Sequence, residues 1–146
     1  MNVYLYAHVN DETGLSGSYS FIVGNSDVFS GKGSDWTSVG AYLNGFKAAS
    51  SYIIQHGLWK EIKYFSVCTP SSFISKIIND GLLVKYAENN WHDDHGVPLI
   101  HRVVLRELYY HYLFYFERDI GWYVMKEVTD MEFRQFERCR KYFEEE

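Results

Sequence analysis

The chain has 146 residues, enough for one domain of ordinary size and too few for two. Its 47% apolar and 23% charged content is that of a globular rather than a disordered chain. The net charge of −5 argues against a protein that coats nucleic-acid duplex by neutralising phosphates. Aromatic residues are in excess at 18%, with 13 Tyr, 10 Phe and 4 Trp. They supply a core and leave Tyr and Trp over for a binding surface. No apolar run approaches a membrane span, and no basic-then-apolar signal opens the chain. The expectation is a cytoplasmic protein, of a cell or of an infected host cell, with no membrane contact. The 2 cysteines, Cys68 and Cys139, fit no metal spacing and read as buried free thiols.

Residues Asn2 to Val9 alternate in the β manner, with Val3, Leu5, Ala7 and Val9 on one face and Tyr4, Tyr6 and His8 on the other. Asn10 to Ser16 is a turn by composition, and Ser18 to Gly24 is a second strand. A tight turn at Asn25 to Asp27 leads into a third strand at Val28 to Gly31, which makes an antiparallel meander. The period changes to helical from Ser34 to His56, with Leu43, Phe46 and Ile53 on one side, Thr37 or Ser38 as the cap and Gly57 as the stop. Glu61 to Cys68 reads as a fourth strand, and Ser71 to Asp80 as a short helix between Pro70 and Gly81. Leu82 to Val97 is the least regular stretch, a polar loop or a short broken helix.

Pro98 is expected to open a long helix to about Arg118, with Val104, Leu108, Tyr112 and Tyr115 as its apolar stripe and Leu105 and Leu113 beside it. Trp122 to Val128 is a fifth strand. Thr129 and Glu132 form a capping box for a last helix. Its apolar stripe is Phe133, Phe136 and Phe143, and its solvated face is Arg134, Glu137, Arg138 and Lys141. Glu144 to Glu146 would lie unfavourably at a helix C-terminus and are expected to fray. The order is βββαβααβα. Strands four and five follow helices and can join the meander as parallel additions through right-handed crossovers. This is an α/β fold, one mixed five-stranded sheet with helices on its faces.

The stretch Val28-Phe29-Ser30-Gly31-Lys32-Gly33, followed by Val39-Gly40-Ala41-Tyr42-Leu43, resembles the third strand and first helix of ribonuclease H. Ala48-Ala49, the helix exit His56-Gly57 and Lys60-Glu61-Ile62 extend the resemblance, which is nearest to the branch related to viroplasmin. It implies a single ribonuclease H-like domain over residues 1–146. Enzymes of the family cut the RNA strand of an RNA–DNA hybrid with two divalent metals. Those ions need clustered carboxylates, because hard oxygen ligands and several negative charges let two cations sit close together. The resemblance places these acids at the end of strand one, in the first helix, at the end of strand four and at the start of the last helix.

Here the strand-one position matches His8 or Asn10, with Asp11 adjacent, and the first-helix position matches Tyr42. The strand-four position falls among Val67, Cys68 and Thr69, and nothing from Phe65 to Ile77 is acidic. Asp130 or Glu132 remains at the last position. The resemblance therefore implies lost chemistry, with no catalytic residue and no resident metal expected.

Two further constellations bear on function. His92, Asp93, Asp94 and His95 are the densest set of metal-capable side chains, but they lack zinc-motif spacing and read more simply as an exposed loop. Tyr109, Tyr110, Tyr112 and Tyr115 lie in an aromatic run that encircles its helix. With Trp91 they are the candidate binding residues, for a protein partner or a second copy of the chain. The few basic residues nearby make nucleic acid a weaker partner.

The leading expectation is a catalytically degenerate domain that binds a macromolecule, most simply a protein, as an inhibitor or adaptor of phage or viral type, counter-defence being one such role. One alternative is a metal-dependent nuclease with a site rebuilt from Asp11, Asp93, Asp94 and Asp130 around Mg²⁺ or Mn²⁺. Another is a non-cleaving binder of RNA–DNA hybrid or single strands.

Overall fold

A computed structural model describes residues 1–10 and 16–143. The turn around Asp11 and the acidic end Glu144 to Glu146 lie outside the described residues. Strands β1 (Asn2–Asn10), β2 (Ser16–Val23) and β3 (Phe29–Ser34) form the antiparallel meander. Helix α1 (Ser38–Gln55) then crosses to β4 (Tyr64–Cys68), which pairs in parallel with β1. Helices α2 (Ser72–Asn79), α3 (Leu82–Glu88) and α4 (Arg102–Glu117) precede β5 (Gly121–Val124), which pairs in parallel with β4. Helix α5 (Asp130–Lys141) closes the chain. The sheet order is β3-β2-β1-β4-β5.

The expected architecture holds, with local differences. The segment expected to be irregular contains α3, which enters through Gly81 in the left-handed conformation. Helix α4 starts at Arg102 and not at Pro98, because Pro98 bridges His92 and the Leu99 N–H donates to the Trp91 carbonyl. Those bonds hold the backbone extended where a first helical turn would otherwise form. A single 3-10 turn at Leu58–Glu61 delays β4 to Tyr64. Strand β3 runs past the expected Gly31 to Ser34, and β5 stops at Val124, short of the expected Val128. The Val124 N–H and carbonyl are both taken by the Asn79 side-chain amide, which shields this short edge strand.

Caps behave as the sequence predicts. Thr37 accepts from the Gly40 N–H at the start of α1, and Gly57 follows its end with φ +67°. Both halves of the Thr129–Glu132 capping box form. The stripe of α5 differs by one face. Cys139 is buried and Phe136 half-buried, whereas Phe133 is exposed, because inward positions 136, 139 and 143 follow the helical period and 133 falls off it.

The two faces of the sheet carry unequal layers. Val3, Leu5, Ala7, Phe21, Phe65 and Val67 pack under Leu43, Phe46 and Ile53 of α1 and Leu105, Leu108 and Tyr115 of α4. On the opposite face Tyr4, Ile22 and Cys68 meet Cys139 and Phe136 of α5. Toward β3, glycines make room for rings: Tyr19 lies over Gly31, and Trp36 lies over Gly33 and Gly17 while stacking on Tyr19 at 6.0 Å. A Cβ at Gly33 would collide with the Trp36 indole. Gly33→Ala is therefore expected to destabilise by about 2 kcal/mol through forced movement of the indole. A urea melt would show this as a lower midpoint at unchanged slope.

Candidate functional site

Strand β1 is longer than the strand beside it. The β1–β4 ladder ends where Tyr4 pairs with Cys68, while β1 continues to Asn10. Beyond Tyr4 the β4 side of β1 is open to whatever α1 and α5 bring. Helix α1 brings Tyr42, which is 8% exposed. Its ring meets Tyr6 edge-on at 6.5 Å, and its hydroxyl accepts a hydrogen bond from the Ala7 backbone N–H. Burial pushes the Tyr42 phenol up to about 12, against the opposing effect of that bond. It stays a neutral phenol at physiological pH.

Helix α5 closes the same place from the other side. Phe136 lies 6.1 Å from Tyr6, and Phe143 lies 5.9 Å from Tyr6 and 6.1 Å from His8. The result is one aromatic cluster, Tyr6, Tyr42, Phe136 and Phe143, at the end of the parallel strands. The ring that faces Tyr42 belongs to Tyr6 and not to His8, which is exposed. The side chains of Asn10 and Asp11 lie outside the described residues.

The remaining expected positions are accounted for by local hydrogen bonds. Thr69 Oγ1 accepts from the Ser71 N–H at 3.4 Å. Glu132 accepts from the Thr129 N–H at 2.9 Å and from the Asn2 amide at 3.3 Å. Those bonds to Thr129 hold its carboxyl below the usual range. Asp130 sits in the first turn of the same helix. Glu132 thus serves the helix cap, and Tyr6, Tyr42 and Thr69 offer no carboxylate. Among the described residues this donor set does not fit a pair of Mg²⁺ or Mn²⁺ ions, which need several carboxylate oxygens at one place.

The thiols offer no chemistry either. Burial pushes Cys68 up to about 11 and Cys139 up to about 12. Both are free and protonated at neutral pH, so neither is an activated nucleophile.

The His92 to His95 segment is a hydrogen-bonded loop. Asp93 Oδ1 accepts from the His95 and Val97 N–H groups at 2.8 and 2.9 Å, and the Asn89 amide donates to the carbonyls of His92 and Asp93. His92 Nδ1 lies 2.7 Å from the Asn90 carbonyl. Asp93 is spent on the turn, and among the described residues no three His, Cys, Asp or Glu side chains gather to hold a metal.

The aromatic helix is divided between core and surface. Tyr115 is 1% exposed and Trp91 is 8% exposed, so these two do not belong to a partner surface. Tyr115 points between α1 and α4, where its hydroxyl meets Ser50. Trp91, at φ +64°, packs edge-on against Tyr109. Tyr109 and Tyr112 are half-buried against the core, and Tyr110 remains 60% exposed. Ile100, Val103 and Phe116 are exposed as well, and the sequence reading did not single them out. The role of Tyr6, Phe136 and Phe143 was also missed. The signal for it was the unbroken ring pattern on the outer face of β1.

No protein-family model and no curated protein matches this chain. Solved structures do. A foamy viral protease-reverse transcriptase in complex with RNA/DNA hybrid superposes with TM-score 0.71 at 14% identity, over 94% of this chain and 18% of that one. The solution structure of the PFV ribonuclease H domain gives 0.67 at 13% identity, over 96% of this chain and 89% of that one. Ribonuclease H1 of the halophilic archaeon Halobacterium salinarum gives 0.53 at 13% identity, over 99% and 98%. At these identities the likeness is one of fold. Together with the sheet order and the crossover helices, it establishes that the chain has the ribonuclease H-like fold.

Proposed function

We propose that this protein is a catalytically degenerate ribonuclease H-like domain, of the viroplasmin-related kind by its Val28 to Gly33 and Val39 to Leu43 stretches, that acts by binding another protein. The observation that carries this reading is the aromatic cluster around Tyr42. It gathers at the end of the parallel strands around Tyr42, which the resemblance matches to a position where enzymes of the family keep a metal-binding carboxylate. Binding is supported by what remains outside. Val103 and Tyr110 lie two turns apart on one face of α4, Ile100 lies just before it, and Phe116 is exposed near its end. Large apolar side chains held in water in this way suit a partner surface. An inhibitor or adaptor role in the cytoplasm, in a phage or viral setting, is the corresponding cellular reading, and no resident metal is part of it.

The test is incubation of the purified protein with end-labelled RNA–DNA hybrid in Mg²⁺ and in Mn²⁺. No cleavage is expected, and Asp130→Asn should behave like the parent protein. Metal-dependent cutting that disappears in Asp130→Asn would overturn the reading. A gel shift at physiological salt checks the alternative of a non-cleaving nucleic-acid binder, for which retention of hybrid or single strand is required.

A further inference from the structure

The second edge of the sheet carries a different chemistry. Arg134, Arg138 and Lys141 recur at i, i+4 and i+7 and line a groove of about 250 Å³ with Tyr142 and Val28. Glu137 also lines it, but its carboxylate is held by Arg140 through two bonds of 2.7 and 2.6 Å. Among the described residues no ion pair involves Arg134, Arg138 or Lys141. The groove is therefore basic at short range in a chain whose net charge is −5. Beside it runs β3, the end strand of the sheet, whose outer edge has no partner strand among the described residues. Ser30 of β3 donates to the Tyr142 hydroxyl at 2.9 Å, which ties that edge to the groove. Lys32 lies two residues on, exposed on the same face as Ser30.

We propose that the β3 edge and this groove together dock an extended, acidic segment of a partner protein, which adds as a strand beside β3 and sets its carboxylates against Arg134, Arg138 and Lys141. A free edge supplies backbone hydrogen bonds, and flanking side chains supply selectivity, which is the physics of strand addition. Charge complementarity favours an acidic occupant. Peptide fits better than nucleic acid. The basic stripe spans eight residues of helix, about 10 Å from first to last. That is short for a phosphate tract. The groove is also smaller than the usual small-molecule site but has room for one or two carboxylate side chains.

The inference rests on the protein-binding reading above but can fail separately from it. The probe is a synthetic peptide of alternating Glu and Val, about ten residues long, which is enough to flank an edge strand of this length. It is titrated at physiological salt into isotope-labelled protein, and amide resonances are followed. Shifts confined to residues 28–34 and 134–142 are expected. The double variant Arg134→Glu/Arg138→Glu should weaken binding at least about tenfold while keeping its circular dichroism and urea midpoint. Absence of shifts, shifts centred on α4, or unchanged affinity in the double variant would overturn the proposal. So would tighter binding of an oligo-dT strand to the same resonances. A protein that neither cleaves hybrid nor binds the peptide refutes the groove alone, whereas one that cleaves hybrid refutes the reading beneath it.

Discussion

Tyr42→Glu, which puts a carboxylate at the α1 position that the resemblance matches to an acid, is expected to destabilise the protein by about 3 kcal/mol or more and to produce no cleavage. The phenol it replaces is buried, packed edge-on by Tyr6 and hydrogen-bonded from the Ala7 N–H. A glutamate there is shorter, leaves a cavity beside Tyr6, and has no cation to pair with among the aromatic neighbours. Burial would drive its carboxyl toward the neutral form, so it would not serve as a metal ligand. Tyr42→Phe keeps the packing and loses one hydrogen bond, for a cost of about 1 kcal/mol. Urea melts of the two variants separate these effects. A well-folded Tyr42→Glu protein, or one that gains metal-dependent cutting, would show that the aromatic cluster is not what closes the site.

Most of the topology was legible because it depends on period. Alternation in β1, the 3.6-residue recurrence of Leu43, Phe46 and Ile53, and the caps at Thr37, Gly57 and Thr129 are local signals, and each appears in the structure. What the sequence did not show depends on contacts between distant segments. The start of α4 at Arg102 depends on bonds from Leu99 and Pro98 back to Trp91 and His92. That position 42, which the resemblance matches to an acid, is a tyrosine could be read from the residue alone. That Tyr6 rather than His8 faces it depends on how far β1 overhangs β4, and a pairing register is invisible in one strand. The aromatic helix was ambiguous for a similar reason. Rings all round a helix say that one face is buried without saying which, and Tyr115 was assigned to the binding set although its hydroxyl has a fixed place in the core. The basic residues of α5 read as a solvated face, and Arg134, Arg138 and Lys141 are exposed, but the pairing of Glu137 with Arg140 is a contact that the residue types alone do not show.

Tyr115→Ala is expected to cost about 4 kcal/mol, because a fully buried ring packed against Phe65 and Trp122 would leave a void between α1, α4 and the sheet. For a domain of this size that lowers Tm by roughly 10 °C or more. Tyr115→Phe tests the polar part separately. The hydroxyl lies 2.9 Å from Ser50 Oγ and donates to the Ser50 carbonyl at 3.1 Å, and Ser50 Oγ in turn lies 2.7 Å from His111 Nδ1. Ser50 keeps His111 when the phenol is lost, so the cost falls to about 1 kcal/mol.

His111 makes the same network sensitive to acid. Burial, and then the charge of Lys47, lower its pKa, while Glu107 works in the opposite direction. A histidine depressed in the folded state binds fewer protons there than in the unfolded chain, so stability rises with pH across the window between the folded and unfolded values. The contribution is present above the ordinary value of 6.5 and is lost as pH falls through the depressed one. His101 is shifted the same way by burial and adds to the loss. Urea midpoints measured from neutral to mildly acidic pH should therefore fall, and His111→Gln should flatten the fall without abolishing it. A midpoint independent of pH over that range in the parent protein would mean that His111 binds protons alike in the folded and unfolded chain, so that its burial beside Ser50 does not depress it.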